Sequence, residues 1–315
     1  MAHVATAYLD AYQGRDESRY QRISAWVRLL GDRVFAQITP EDVDVAMRQL
    51  ATEPARVFSG KDVDGNPIFR ATKDGQRSGG TLNRYLQALA ALFSWARRYV
   101  KADGTRYVPR THESPTRTVE KHKESKGRVR FLSDSERERL LASCQESAWP
   151  RLYLFVLMAL TTGARRGELL SVRWSDIDFG QGEARIGEDT EHHQNKNGDA
   201  RTLILLPQVL AELEKFKPKK TAESQHLVFK SRLRPSQPYS TAKVFSEAVA
   251  EAGIKNYRFH DCRHCTASYM AQSGASLLEI ADTLGHRQLR MVQRYAHLNT
   301  SSRRRLMNSV FEGRL

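Results

Sequence analysis

The chain of 315 residues carries 50 Lys and Arg against 36 Asp and Glu, a formal net charge of +14, with 40% hydrophobic and 27% charged residues. That length holds about two domains with cores of their own, and the balance excludes a disordered chain. The positive excess favours a polyanionic partner, nucleic acid ahead of an anionic membrane surface; three cysteines are too few for a disulfide framework.

The opening residues, "MAHVATAYLDAYQGRDESRY", lack the basic start and apolar core of a secretory signal. The longest apolar stretch, "LYLFVLMAL" at 152–160, is too short for a membrane span and reads as one buried helix. A cytoplasmic chain without membrane contact is expected. Over 1–105 the pattern is helical. Ile23, Trp26, Val27 and Leu30 share one face, Thr39 and Pro40 start a second helix over Val43, Met47 and Leu50, and Leu82, Leu86, Leu89 and Phe93 line a third. Residues 59–80, rich in Gly and Lys/Arg, read as a loop or loose hairpin.

The stretch 106–130 reads as a basic interdomain linker. Its segment 110–130, "RTHESPTRTVEKHKESKGRVR", has seven Lys/Arg, three Glu and two valines as its only aliphatic residues. Such a segment can also lie along a phosphate backbone. A second domain, 131–315, opens on a capping box of Ser133 and Glu136. It continues through the apolar helix stopped by Gly163, a short helix "RRGELLSV", strands at 184–186 and 201–206, and helices near 240–252, 260–273, 276–284 and 289–298. The fold class is therefore mainly α with a small antiparallel sheet, α+β in two domains. The tail, 299–315, ends on a short helix whose Leu306, Met307, Val310 and Phe311 form an apolar stripe.

Several polar residues stand where packing alone does not call for them. Arg165 and Arg166 follow directly on the apolar helix, and Glu168 is three residues from Arg165, within reach of its guanidinium. His260 and Arg263 are three apart on one helix face, and His286 and Tyr295 follow. Planar guanidinium groups match paired phosphate oxygens, and two of them can carry the extra charge of a pentacoordinate phosphorus. A phenolate costs about 4 kcal/mol to form at pH 7, which neighbouring cations offset. Taken alone, Tyr295 is a packing aromatic; in this company it becomes a candidate nucleophile.

"TTGARRGEL", "HDCRH", "LGH" and "RYAHL", in this order and spacing, resemble the tyrosine recombinase (phage integrase) family, most like integrases of phages and mobile elements. The resemblance spans 131–315 at motif level and 1–100 only as a helical domain like that family's core-binding domain. It implies a helical core-binding domain that clamps DNA, a catalytic domain, and site-specific cleavage and rejoining through a 3′-phosphotyrosyl intermediate without ATP or metal. Tyr295 would be the nucleophile, Arg165 and Arg263 the phosphate clamp, His260 the manager of the tyrosine's proton, His286 a phosphate hydrogen bond and Glu168 an orienting partner. Lys196, on a hairpin turn ahead of Arg201, would protonate the leaving 5′-oxygen. No cofactor and no metal are implied. The implied partners are double-stranded DNA at specific sites, further copies of the chain (a monomer in solution, a homotetramer on paired sites, coupled through the apolar tail) and accessory DNA-bending or directionality factors. Ala164, Cys262 and Cys265 depart from the usual Leu, Leu and Thr; none removes a reactive group.

Blander readings stand beside these. Cys262 and Cys265 could be metal ligands, but Arg263 between them would repel a cation. His192 and His193 read as solvated turn residues, Arg166 as a surface or DNA-backbone residue, His297 as structural, and His264 as support for the site. A type IB topoisomerase-like enzyme and an inactive DNA-binding protein are the competing functions.

Overall fold

A computed structural model describes residues 1–315 apart from 15, 32, 62–66, 126–127, 188–199, 220–223, 313 and 315. The chain divides into two compact units, 1–127 and 128–315.

The first unit packs α1 (Ala2–Asp10), α2 (Ser18–Leu30), α3 (Pro40–Thr52) and α4 (Gly79–Arg98) around Ile23, Trp26, Val43, Met47, Leu50, Leu86, Leu89 and Phe93. These are the faces that the three- and four-residue spacing selects. Thr39 caps α3 in a reciprocal box with Asp42, and Trp26 satisfies its buried indole N–H on the carbonyl of Tyr85 at 2.8 Å. Between α3 and α4, β1 (Pro54–Lys61) pairs antiparallel with β2 (Pro67–Gln76), with register shifts on the way. Of the two readings of 59–80, the hairpin is the one found.

Residues 107–124, within the stretch expected as a linker, are irregular but lie against this unit. Val108 is buried in its core, His112 stacks on Phe93 at 5.7 Å, and the Asn83 amide holds both the N–H and the C=O of His122 and the Glu124 carboxylate. Tyr107 stacks on Trp95, and Val119 packs on the same core, but these anchors are scattered along the segment, so no apolar period marks it.

The second unit is helical around a small sheet. It contains α5 (Asp134–Gln145), α6 (Leu152–Thr162), α7 (Arg166–Ser171), β3 (Ile177–Asp178), β4 (Glu183–Ile186), β5 (Arg201–Ile204), α8 (Pro207–Glu214), α9 (Ala242–Glu251), α10 (Asp261–Ser273), α11 (Leu277–Leu284) and α12 (Thr300–Phe311). The strands run antiparallel in the order β3-β4-β5. Helix α6 is apolar all round and is accordingly buried on nearly every side. Residues 289–298 differ from the expected helix: they form two 3₁₀ turns, Leu289–Met291 and Gln293–Leu298. A three-residue turn aligns Val292 and Tyr295, and both are buried with Ala267, Ile280 and Leu284.

Met307, Val310 and Phe311 of α12 are exposed, while the side chain of Leu306 lies outside the described residues. Among the described residues no helix is long and apolar enough to cross a membrane.

Candidate active site

The site begins at the end of α6. Gly163 takes a left-handed conformation (φ +63°) that closes the helix, and a Cβ there would lie 2.5 Å from Leu284. This sharp stop presents Arg165 as the N-cap of α7, its side chain 38% exposed. Glu168 folds back as in a capping box: its carboxylate accepts the backbone N–H of Arg165 at 2.7 Å and the Arg165 guanidinium at 2.6 Å. The same carboxylate accepts a third bond at 2.7 Å from Arg201, the first residue of β5. Burial works to raise the Glu168 pKa, but Arg201 and Arg165 outweigh it and hold the carboxyl ionised, below its ordinary value.

Helix α10 supplies the next pair. His260 is its N-cap, and Arg263, one turn on, is 4% exposed. The Arg263 guanidinium donates to the carbonyl of Gly163 at 2.7 Å and to that of Leu284, the last residue of α11. One residue further, Gly285 turns left-handed (φ +63°) and places His286 at the same corner. Burial and the charges of Arg263, Arg165 and Arg201 push the His286 pKa down to about 4, and burial, Arg263 and Arg165 lower that of His260. Both imidazoles are therefore neutral at pH 7. The Arg263 pKa is itself pushed below the usual guanidinium range by burial and by Arg165 and Arg201. Arg165, Arg201 and Arg263 share Glu168 as counter-charge, so this corner is built for an anion.

Tyr295 is 2% exposed, and its hydroxyl is hydrogen-bonded to Nδ1 of His264. His260, expected to manage this proton, instead meets His264 edge to face with ring centres 5.5 Å apart. Burial and His260 push the His264 pKa down to about 4, so its ring is neutral and free to accept the phenol proton's hydrogen bond. Burial raises the Tyr295 pKa against the pull of Arg294 and Arg263.

The structure thus gathers Arg165, Glu168, His260, Arg263 and His286 and sets Tyr295 beside Arg263. Lys196, His192 and His193 lie outside the described residues. Arg166 hydrogen-bonds Thr241 at 3.0 Å, and Cys262 and Cys265 are buried with the Tyr257 hydroxyl 3.3 Å from both sulfurs. One residue of the site went unassigned from sequence, and a second was read only in a lesser role. Arg201 reads there only as the start of a strand, and His264 only as support. The signal for Arg201 is a cation at the first position of a short strand of which only Leu203 is buried; for His264 it is a second histidine one turn after His260.

The model of the phage integrase family matches residues 130–302, more than half of the chain. The chain belongs to the phage integrase family. It is 29% identical over 191 residues to the integrase of Salmonella phage P22, covering 58% of this chain and 48% of that protein. With the shufflon-specific DNA recombinase of Escherichia coli it shares 31% over 226 residues, 70% of this chain and 52% of the relative. This integrase-family chain thus spans about half the length of those two relatives. Among solved structures, the Tn1549 transposon integrase in complex with a circular intermediate DNA is similar with a TM-score of 0.66 at 16% identity, over 97% of this chain and 98% of that one. A lambda integrase (75–356) dimer bound to a COC′ core site follows at 0.65 and 18%, over 95% and 96%. At those identities the likeness speaks for the fold: mainly helical with small antiparallel sheets, as in tyrosine recombinases.

Proposed function

We infer that this chain is a site-specific DNA recombinase that cleaves and rejoins strands through a 3′-phosphotyrosyl intermediate. The observation that supports this reading is the positive corner where Arg165, Arg263, His260 and His286 meet, with the Tyr295 hydroxyl buried beside Arg263 and already hydrogen-bonded.

In this reading Arg165 and Arg263 hold the non-bridging oxygens of the scissile phosphate, and neutral His286 donates a further hydrogen bond. The Tyr295 oxygen bonds to phosphorus as the bond to the 5′-oxygen breaks. The phenol proton passes to an imidazole: the family resemblance assigns His260, and His264 holds the hydroxyl before attack. Lys196 gives the leaving 5′-oxygen its proton. Glu168 holds Arg165 in place. The phosphotyrosyl bond keeps the energy of the phosphodiester, so a 5′-hydroxyl from a partner strand reverses the step without ATP, and the two guanidinium groups carry the transition-state charge without a metal.

Residues 1–105 act as the core-binding, DNA-clamping domain, 106–130 as the basic link and 131–315 as the catalytic domain. The partners are specific sites on double-stranded DNA, other copies of the chain up to a homotetramer on paired sites, and accessory bending or directionality factors, all in the cytoplasm. The similar Tn1549 and lambda integrase structures, which hold a circular intermediate DNA and a core site, support the DNA partner.

The test is a covalent trap. Nicked duplexes with randomised cores lose a short 5′-hydroxyl strand after attack, stranding any adduct for gel analysis and peptide mapping. An adduct at Tyr295, absent in Tyr295→Phe and about 10²–10³-fold slower in Arg165→Ala, is expected. Tight binding without any adduct would falsify the enzyme reading.

A further inference from the structure

Arg201 is bonded to three parts of the corner that the chain brings together from afar. Its Nη2 donates to the Glu168 carboxylate at 2.7 Å, on the oxygen that also receives the Arg165 backbone N–H. Its Nη1 donates to the carbonyl of Thr283, next to the Leu284 carbonyl that Arg263 occupies. Its stem lies over Gly285: a Cβ at that glycine would sit 2.9 Å from the Arg201 Cδ. Its Nε is buried with no hydrogen-bond partner among the described residues. The side chain is thus spread flat between the α7 start and the α11 end, a span that a branched guanidinium can bridge and an ammonium cannot.

We propose that Arg201 is a positioning residue for strand cleavage: it locks Glu168, and through it Arg165, to the α11 terminus that carries His286. The proposal rests on the recombinase reading above. Four features carry it. Glu168 has two oxygens; one is taken by the Arg165 side chain, and the other is divided between the Arg165 backbone and Arg201. Without Arg201 the carboxylate is free to rotate about the Arg165 N–H, and the exposed Arg165 guanidinium turns with it. The contact at Thr283 sets the distance between Arg165 and His286, which lie on different elements and on which both must meet one phosphate. Moreover, Arg201 is the first residue of β5, which pairs with β4 in the sheet of this unit, so its contacts also tie that strand to the site. Displacing a clamp by about 1 Å is enough to slow a reaction on the order of 100-fold.

The experiment uses the full chain and the nicked randomised-core duplexes, comparing adduct rates for wild type, Arg201→Gln, Arg201→Lys, Glu168→Gln and the double variant Glu168→Gln with Arg201→Gln. Both Arg201 variants are expected to slow adduct formation by about 10- to 100-fold while duplex affinity stays within about twofold. The double variant should be no slower than the worse single one, because both act on the same guanidinium. Lysine keeps the stem and the charge, so if Arg201→Gln fails to fold, Arg201→Lys carries the test. A wild-type rate in Arg201→Lys overturns the proposal. So does a double variant whose loss is the product of the two single losses, since Arg201 would then act independently of Glu168. If the wild type itself forms no adduct, the recombinase reading fails and this inference with it; an adduct in the wild type that Arg201→Gln leaves unchanged overturns this inference alone.

Discussion

The hydroxyl of Tyr295 and Nδ1 of His264 are hydrogen-bonded inside the second unit, joining the 3₁₀ turn Gln293–Leu298 to α10. Both groups are largely removed from water, so deleting one strands the other. Tyr295→Phe and His264→Leu should each cost about 1–3 kcal/mol, and the double substitution should cost less than their sum, because no unpaired polar atom is left. Calorimetric melting of the four proteins measures this. Losses that simply add would show that the two groups are not coupled.

Acid should weaken the fold from about pH 6.5 downward, as the two buried imidazoles begin to favour the unfolded chain. His264 and His286 have folded-state pKa values near 4, below the ordinary value of about 6.5. Between those values the unfolded chain binds more protons than the folded one, so stability is complete above about pH 6.5 and declines as pH falls towards 4. The melting temperature followed from pH 7.5 to 4.5 should fall, and His286→Gln should flatten part of the slope. A level profile in the wild type contradicts the neutral-imidazole assignment.

Arg201→Gln should raise the His286 pKa, since Arg201 is one of the charges that depress it. Imidazole NMR on the DNA-free protein reads this directly. Arg201→Lys keeps the charge and should move that value less, whatever its effect on cleavage.

The two left-handed glycines that frame the corner should not tolerate a side chain. Alanine at Gly163 meets Leu284, alanine at Gly285 meets the Arg201 stem, and each also costs about 1–2 kcal/mol of backbone strain. Gly285→Ala is expected to displace Arg201 and His286 together, so its adduct rate should fall further than its melting temperature alone implies. Equal rates at a temperature well below both melting points would argue against that displacement.

Arg263→Lys should be as harmful as Arg263→Ala. The guanidinium bridges the carbonyls of Gly163 and Leu284, and an ammonium reaches one of them. Adduct formation should fall by about 10²–10³-fold. Lysine activity within tenfold of the wild type would mean that only the charge matters.

Most of the architecture could be read in advance because it rests on short-range rules. The period of Ile23, Trp26 and Leu30, the N-cap at Thr39, the box at Ser133 and the glycine stop at Gly163 need no distant partner to be recognised. The segment 107–124 escaped such rules, since its anchor is Asn83, far away on α4. So did the turn at 293–298, where burial of Val292 and Tyr295 overrides a helical pattern.

The motif order alone determined the family and which arginines, histidines and tyrosine to watch, because residue type carries the chemistry of phosphate binding and nucleophilic attack. Only the tertiary structure decided how those groups pair. That the Tyr295 hydroxyl rests on His264, and that Arg201 shares the Glu168 carboxylate with Arg165, depends on helices and strands meeting across 31 and 33 residues of chain. Hydrogen bonds of that reach follow from packing, which fixes positions in space, whereas local spacing fixes only the face of a helix.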